Sequence, residues 1–366
     1  MANQTKIKLL IFIPALECGG MEKYTSLLCN HINTGVFDVT LAVLNNADPF
    51  FTIHNKAVTV VDLHEPHVRF AFFKIMKTIK NVKPDIVFTT GNHLNLYMAI
   101  FRRFISKKIK VIGRETSIVS FNNRRAKFPV LYNRLVKKYY SNLDFIISQS
   151  LYMEKDLIAN YHIKPEKSMV IYNPVESDFN QQQAFANTEN KMYKFITVAR
   201  LSEEKGLLRL IESVALLQVP FVYYIIGGGK MHTLLQQKID TLQLTGKVFL
   251  SGKKLNPFEG MEDADLFLMG SHYEGLGNVL LEAGARGIPV VAFDAPGGIA
   301  EVITTGKNGM LAANNNTKAF AAAVQQALQI QFNRNEIIAA TQKRFSVHTI
   351  IAQIENIFIK LATKSI

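Results

Sequence analysis

The sequence has few cysteines and no long apolar run, and each shortage excludes a class of protein. Only Cys18 and Cys29 occur in 366 residues, too few for a disulfide framework and without metal-ligand spacing around them. The longest early apolar run, residues 9–16, is far shorter than the roughly 20 residues of a membrane-spanning helix. Glu17 precedes Cys18 and argues against a secretion signal, so the run is predicted to be a buried strand. We expect a cytoplasmic protein.

Acidic residues are scarce in the first half of the chain. Residues 1–175 contain 24 Lys and Arg against 12 Asp and Glu, whereas the rest contains 18 against 17. Segment 102–138 has twelve basic residues and one acid, Glu115, and such a block attracts an anionic partner. Eight of these residues form the predicted basic patch for that partner: Arg102, Arg103, Lys107, Lys108, Arg124, Arg125, Lys137 and Lys138.

Short apolar segments alternate with longer amphipathic stretches along the whole chain, which predicts parallel sheets covered by helices. The fold class is therefore α/β, with two doubly wound domains, residues 1–175 and 176–346, and a cleft between them. Residues 181–191 are polar and predict a linker, and the terminal stretch 347–366 is predicted to rejoin the first domain. The strand candidates are 8–13, 39–44, 86–90, 111–113, 145–148, 195–199, 222–226, 247–251, 266–269 and 290–293.

Three strand-to-helix turns are candidates for a ligand site, because helix N-termini at the carboxyl edge of a parallel sheet favour anions. The first is Gly19-Gly20, whose backbone can approach a phosphate closely. The second runs from Arg200 to Gly206, and the third is Gly275-Leu276-Gly277-Asn278.

The second turn contains Arg200 and Lys205, five positions apart. Their charges would stabilise the diphosphate that leaves when a sugar is transferred from a nucleoside diphosphate. Taken alone, both also fit ordinary solvated charges. Glu274 and Glu282 flank the third turn, and a carboxylate can accept two sugar hydroxyls at once. Their spacing of eight residues would be about 12 Å if the whole stretch were helical, comparable to the separation of the two sugars across a diphosphate.

These motifs resemble glycosyltransferase family 4. The resemblance rests on 200–206, on Ile226-Gly227-Gly228-Gly229, and on 271–282 followed by 287–294, and more loosely on Gly19-Gly20 and Asn173-Pro174-Val175. It implies the GT-B fold, in which two Rossmann-like domains enclose a donor cleft. It also implies retention of anomeric configuration and a nucleotide-sugar donor, most often a UDP-sugar, bound without metal or other cofactor. The expected reaction moves a hexose or N-acetylhexosamine to a saccharide or lipid-linked saccharide in cell-envelope polysaccharide or glycan synthesis.

The resemblance also assigns roles to residues. Glu282 would bind the ribose hydroxyls, Glu274 the donor sugar, and Arg200 with Lys205 the diphosphate. Backbone groups would complete the donor site at Gly19, Gly20, Gly227, Gly275, Leu276, Gly277 and Asn278.

One position departs from the family pattern. Many members have a His after a strand of the first domain, near the donor sugar, where this chain reads Gly113-Arg114-Glu115-Thr116-Ser117. Glu115 or Arg114 would take over a polar contact there, or His93 would do so from the preceding strand end. The catalytic candidates are therefore Glu274, Arg200, Lys205, Glu115 and His93.

Other signals are weaker. Asp263-Ala264-Asp265 precedes a strand candidate and is interpreted as a structural turn, and 227–232 lacks the glycine spacing of dinucleotide-binding or P-loop motifs. Aromatic residues between the basic ones make nucleic acid a candidate partner, but docking on the inner face of an anionic membrane fits a transferase better. A nucleotide-sugar epimerase and a non-catalytic sugar-binding protein are the alternative functions.

Overall fold

A computed structural model describes residues 5–176 and 192–363. The described residues form two compact units, one from 5–174 together with 347–363 and the other from 175–176 together with 192–346. The predicted linker at 181–191 lies outside the described residues.

The first unit is built on a seven-stranded parallel sheet in the order β3-β2-β1-β4-β5-β6-β7. β1 lies between β2 and β4, so the strand order reverses direction there, which makes the sheet doubly wound. The strands are β1 (Ile7–Ile13), β2 (Phe37–Val43), β3 (Thr59–Asp62), β4 (Ile86–Thr90), β5 (Lys110–Arg114), β6 (Phe145–Ser148) and β7 (Ser168–Val170).

Helices cover both faces of this sheet. Leu9 and Ile11 point to the side of the first helix and of the terminal helix Val347–Thr363, whereas Leu10 and Phe12 join the core on the opposite face. This alternation follows from the period of two along a strand. The helices of the first unit are α1 (Gly20–His31), α2 (Phe72–Val82), α3 (Asn92–Phe101), α4 (Val119–Arg124), α5 (Pro129–Tyr139) and α6 (Leu151–Tyr161).

The second unit has a six-stranded parallel sheet in the order β10-β9-β8-β11-β12-β13. Its strands are β8 (Tyr193–Val198), β9 (Phe221–Ile226), β10 (Val248–Leu250), β11 (Leu266–Met269), β12 (Val290–Phe293) and β13 (Gly309–Ala312). Its helices are α7 (Leu207–Val214), α8 (His232–Thr241), α9 (Asn278–Ala285), α10 (Ile299–Val302), α11 (Thr317–Gln329) and α12 (Arg334–Phe345).

The amphipathic pattern between the strand candidates 86–90 and 111–113 predicts a helix over 94–105, but the structure differs. α3 ends at Phe101 and a 3-10 turn occupies Arg102–Phe104. The Arg102 guanidinium stabilises the chain that follows α3, because it donates to the carbonyl oxygens of Ile105 at 2.9 Å and Ile109 at 3.0 Å.

Candidate active site

The loop after β8 carries Arg200 and Lys205. Backbone bonds from Ala199 to Ile226 and from Leu201 to Gly228, each 3.0 Å, hold this loop against the end of β9. A 3-10 turn at Glu203–Lys205 then leads into α7. The predicted strand-to-helix turn is therefore present, and it fixes the backbone of both basic residues.

Lys205 and Glu274 meet although they are 69 residues apart in sequence. Lys205 Nζ lies 2.6 Å from Glu274 Oε1, and the two side chains are only 21% and 13% exposed. Ser271 Oγ donates to the same oxygen at 2.6 Å. Glu274 Oε2 accepts no hydrogen bond from the residues that the structure describes. One oxygen of Glu274 is thus fixed, and the other remains able to accept from a ligand.

The backbone of Glu274 is held by the loop after β12. Glu274 N donates to Pro296 O at 3.0 Å, and Gly298 N donates to Gly275 O at 3.1 Å. A Cβ on Gly297 would lie 1.6 Å from Glu274 O, so this approach of two backbones requires glycine. Two loops therefore determine together where the Glu274 carboxylate lies.

The turn Gly275-Leu276-Gly277 opens α9, as the sequence predicts. It is buried, Leu276 packs into the core, and α9 begins at Asn278. Glu282 lies half-buried in the second turn of α9. Since only the part from Asn278 onward is helical, the stretch from Glu274 to Glu282 rises about 6 Å within the helix, not the 12 Å of a fully helical segment.

Arg200 and Gly227 do not take part in the contacts between Lys205, Ser271 and Glu274. The Arg200 side chain is 78% exposed, and its contact with Glu204 Oε1 is a 3.4 Å surface pair. Gly227 lies where a Cβ would approach Ala199 O to 1.8 Å, so its contribution to the site is to let the Arg200 loop pack against β9.

Arg209 is a component of the site that the sequence analysis missed. It is almost fully buried on α7 and donates to Gly270 O at 2.6 Å and to the side chains of Asn314 and Asn315 at 3.0 and 2.9 Å. Burial lowers its pKa to about 10. The sequence does contain a signal, because Arg209 interrupts the apolar stretch 207–211. Its bonds fix the segment just before Ser271 and Glu274.

In the first unit, Gly19 is the N-cap of α1 and Gly20 is the first helical residue. The Glu22 carboxylate folds back over this turn, since a Cβ on Gly19 would lie 2.3 Å from Glu22 Oε2. Burial raises the pKa of Glu22. The turn is thus positioned at a helix N-terminus as predicted, but an acidic side chain already covers part of it.

Glu115 follows β5 and is completely buried. Asn95 Nδ2 and the Tyr140 hydroxyl donate to its Oε1 at 2.6 and 3.0 Å. Burial raises the pKa of Glu115 to about 7, against the opposing effect of these two donors and of Arg114. Arg114 is also buried and lies over the ring of Tyr24, with its guanidinium carbon 3.5 Å from the ring centroid. Both side chains belong to the interior of the unit.

His93 is the exposed alternative at the neighbouring strand end. Its Nδ1 lies 2.9 Å from the Tyr132 hydroxyl, which also donates to Asn92 Oδ1 at 2.5 Å. His93 is therefore held in place by a hydrogen bond from α5, with its ring edge still open to solvent.

The predicted basic patch needs one correction. Arg102 is largely buried and paired with Asp144 at 3.0 Å, so it is a structural side chain and not part of an exposed surface. The other seven residues are exposed. They lie on the turn after α3, on α4 and on α5. Among the described helices, none has the length and apolar character that crossing a membrane requires.

Two family models match the chain one after the other. Residues 18–179 match Glycosyltransferase Family 4, and residues 178–344 match Glycosyl transferases group 1. The chain is a family 4 glycosyltransferase. The predicted resemblance and the predicted enzyme class are confirmed.

Two related glycosyltransferases align with most of this chain. N-acetylgalactosamine-N,N'-diacetylbacillosaminyl-diphospho-undecaprenol 4-alpha-N-acetylgalactosaminyltransferase of Campylobacter jejuni is 27% identical over 88% of this chain and 90% of its own length. The amylovoran biosynthesis glycosyltransferase AmsD of Erwinia amylovora is 25% identical over 92% and 94%.

Solved structures confirm the GT-B fold. Anabaena HepE, crystallised with UDP and glucose, has a TM-score of 0.78, 19% sequence identity, and coverage of 97% of this chain and all of its own. At that identity the similarity shows the fold alone.

Proposed function

We propose that this glycosyltransferase moves a hexose or N-acetylhexosamine from a UDP-sugar to a saccharide or lipid-linked saccharide in cell-envelope polysaccharide or glycan synthesis. The contact between Lys205 and Glu274 carries the proposal. It places a compact positive charge beside a carboxylate with one uncommitted oxygen, and a nucleoside diphosphate sugar has an anionic group next to hydroxyl donors.

Different residues of the site would bind different parts of the donor. Lys205 and Arg200 would offset the charge that develops on the departing diphosphate, where electrostatic stabilisation is most effective. Glu274 Oε2 would accept sugar hydroxyls, and Glu282 would accept those of the ribose. The N-terminus of α9 adds a positive dipole end for the phosphates.

The relatives support the finer assignment. HepE was crystallised with UDP and glucose, and the Campylobacter enzyme is named for an α-linked N-acetylgalactosaminyl transfer to a diphospho-undecaprenol acceptor. Transfer from an α-linked donor to give an α-linked product would be retention of configuration. The anomeric proton coupling of the product, measured by NMR, tests retention directly.

Metal independence is part of the proposal because Lys205 and Arg200 supply the charge that a divalent cation would otherwise provide. We expect EDTA to leave the transfer rate unchanged. A rate that collapses in EDTA and returns with one divalent cation would contradict this point.

The acceptor is proposed to be presented at an anionic membrane, which the exposed basic residues of the first unit would contact. Such attachment would be peripheral, on the cytoplasmic face.

A donor screen tests the proposal as a whole. Nucleotide sugars are added to the full chain, and the melting temperature is followed, because a ligand that binds the folded state raises it. We expect stabilisation by one UDP-sugar, and transfer of its labelled sugar to lipid-linked saccharides from bacterial membranes. Stabilisation without transfer would favour a binding protein, and a new sugar formed without acceptor would favour an epimerase.

A further inference from the structure

The first unit exposes a group of phenylalanines that the proposed function does not use. Phe73 is 81% exposed, and Phe70 and Phe104 are each more than half exposed. Phe72 joins them, with its ring centroid 5.3 Å from that of Phe73 and 5.6 Å from that of Phe104. We call Phe70, Phe73 and Phe104 the aromatic ridge. Exposed apolar groups of this size mark interaction surfaces.

Positive charge surrounds the ridge. The guanidinium carbon of Arg69 lies 4.7 Å from the centroid of the Phe70 ring, and that of Arg103 lies 4.8 Å from the Phe104 ring. Segments 66–83 and 102–113 contain no acidic residue. The nearby Glu65 is paired with Lys74 at 3.6 Å. The ridge is therefore apolar at its centre and cationic at its edge.

A second surface of the same kind lies at the start of α5. Phe128, Val130 and Leu131 are each more than half exposed, and we call them the α5 tip. Lys127 Nζ lies 5.8 Å from the centroid of the Phe128 ring. Segment 116–138 also contains no acidic residue.

Both surfaces lie on the same face of the sheet. α2, α3 and α5 bury Ile75, Leu94 and Val136 in one core cluster, which fixes these helices on one side. α3 contacts the turn Val68–Phe70, the turn Arg102–Phe104 and α5. The α5 tip lies toward the start of α3, where Tyr132 contacts His93, and the aromatic ridge lies toward its end, where the Phe101 and Phe104 ring centroids are 6.2 Å apart.

We propose that this face docks on an anionic bilayer, with the aromatic ridge and the α5 tip both inserted at the interface. A bilayer of this kind matches both parts of each surface, since phenylalanine enters the acyl boundary while Lys and Arg meet the headgroups. The inference rests on the membrane-presented acceptor of the proposed function. It adds that two separate insertions fix which face of the unit meets the lipid.

The chain has no tryptophan, so a single introduced tryptophan reports on one position. Phe73→Trp and Phe128→Trp place it in the ridge and in the tip. Leu255→Trp is the matched control, because Leu255 is 85% exposed beside Lys253 and Lys254 in the second unit. The full chain is mixed with vesicles of phosphatidylcholine and phosphatidylglycerol whose acyl chains carry bromine.

We expect bromine to quench the tryptophan at 73 and at 128 and to leave the one at 255 unquenched. Pure phosphatidylcholine vesicles are expected to quench none of the three. Quenching at 128 alone would overturn the two-point docking while leaving membrane attachment intact. If the protein sediments with neither vesicle type, both the two-point docking and the membrane attachment are overturned.

Serine variants measure the contribution of the ridge. Phe70→Ser, Phe73→Ser and Phe104→Ser together should lower vesicle affinity at least about tenfold, because each removes apolar surface from the interface. Leu255→Ser should lower it less than about twofold. Unchanged stabilisation by the nucleotide sugar shows that the variant is folded and keeps its donor site. Wild-type vesicle affinity in the folded triple variant would overturn the proposal. It would also be overturned if the only effect of the three substitutions were that the protein no longer self-associates.

Discussion

Glu274 and Glu115 both lie in loops that follow parallel strands, but their surroundings make them different groups. Glu274 is partly exposed and meets the positive charge of Lys205 and the hydroxyl of Ser271 on one oxygen. Glu115 is fully buried, takes its hydrogen bonds from neutral Asn95 and Tyr140, and has a pKa raised to about 7. Position near a strand end does not by itself distinguish a ligand-binding carboxylate from an interior one. The partners and the burial do.

The largest expected effect comes from Glu274→Gln. It leaves Lys205 without its counter-charge and removes the charged acceptor for the donor sugar. Breaking a largely buried charged contact costs about 3 kcal/mol, so kcat/KM should fall roughly 100-fold. Steady-state transfer kinetics measure this. Glu203→Gln, an exposed acid on the Lys205 loop, is the control and should stay within about twofold of wild type. Equal losses in both variants would remove the special role of Glu274.

Glu115→Gln should change the pH dependence of stability instead. A carboxyl whose folded-state pKa is raised favours folding fully below its ordinary value of 4.5, and that contribution is lost as the pH rises through about 7. Wild type should therefore lose about 3 kcal/mol of unfolding free energy across this window from Glu115. The Gln variant should lose none of it, since a neutral amide oxygen can still accept from Asn95 and Tyr140.

Urea unfolding at a series of pH values measures this difference. Glu166→Gln alters an exposed carboxylate of the same unit and should follow the wild-type curve. A Glu115→Gln curve parallel to wild type would mean that folding does not raise the pKa of Glu115.

Arg209→Met tests whether the position of Glu274 depends on the hydrogen bonds that Arg209 makes. Without bonds to Gly270 O and the two asparagines, the segment before Glu274 loses its anchor. We expect the donor KM to rise roughly 30-fold, corresponding to about 2 kcal/mol, with a smaller change in kcat. Lys238→Met, which breaks a surface pair with Glu212, should change neither constant. A pure loss of kcat would contradict a positioning role.

The smallest expected effects separate Arg102 from Arg103. Arg102→Ala should cost about 1.5 kcal/mol of unfolding free energy, because its hydrogen bonds to the partly exposed Asp144 and to the Ile105 and Ile109 carbonyl oxygens are lost. Arg103→Ala should leave stability unchanged and weaken vesicle binding by a few-fold, the contribution of about one basic residue at a membrane surface. Chemical unfolding and vesicle sedimentation of both variants check this. The reverse assignment would return Arg102 to the exposed patch.

The sequence predicts central strands well and edge strands poorly. β4, β6, β11 and β12 lie within the predicted ranges because strands buried on both faces are continuous apolar runs. The missed strands β3, β7 and β13 are all at sheet edges. Thr59–Asp62 of β3 is half-exposed, and β7 and β13 contain only two and three apolar residues, so none of them shows such a run. Pattern alone does not identify them.

The candidate site also has features that the sequence predicts and features that it does not. The turns at Arg200 and Gly275 are local strand-to-helix features, so the sequence locates them. The contact between Lys205 and Glu274 joins residues 69 positions apart, and no local pattern predicts its distance. The interior location of Glu115 and Arg102 depends on partners from other elements, Tyr140 and Asp144, which lie 25 and 42 residues away in sequence.

The most direct test of the donor site is calorimetric titration of wild type, Glu274→Gln and Lys205→Ala with UDP and with the UDP-sugar chosen by the thermal screen. Glu274→Gln should bind UDP as wild type does and lose at least about tenfold in affinity for the UDP-sugar, whereas Lys205→Ala should lose affinity for both. Equal losses for UDP and UDP-sugar in Glu274→Gln, or full UDP affinity in Lys205→Ala, would contradict the assignment of the sugar to Glu274 and the diphosphate to Lys205.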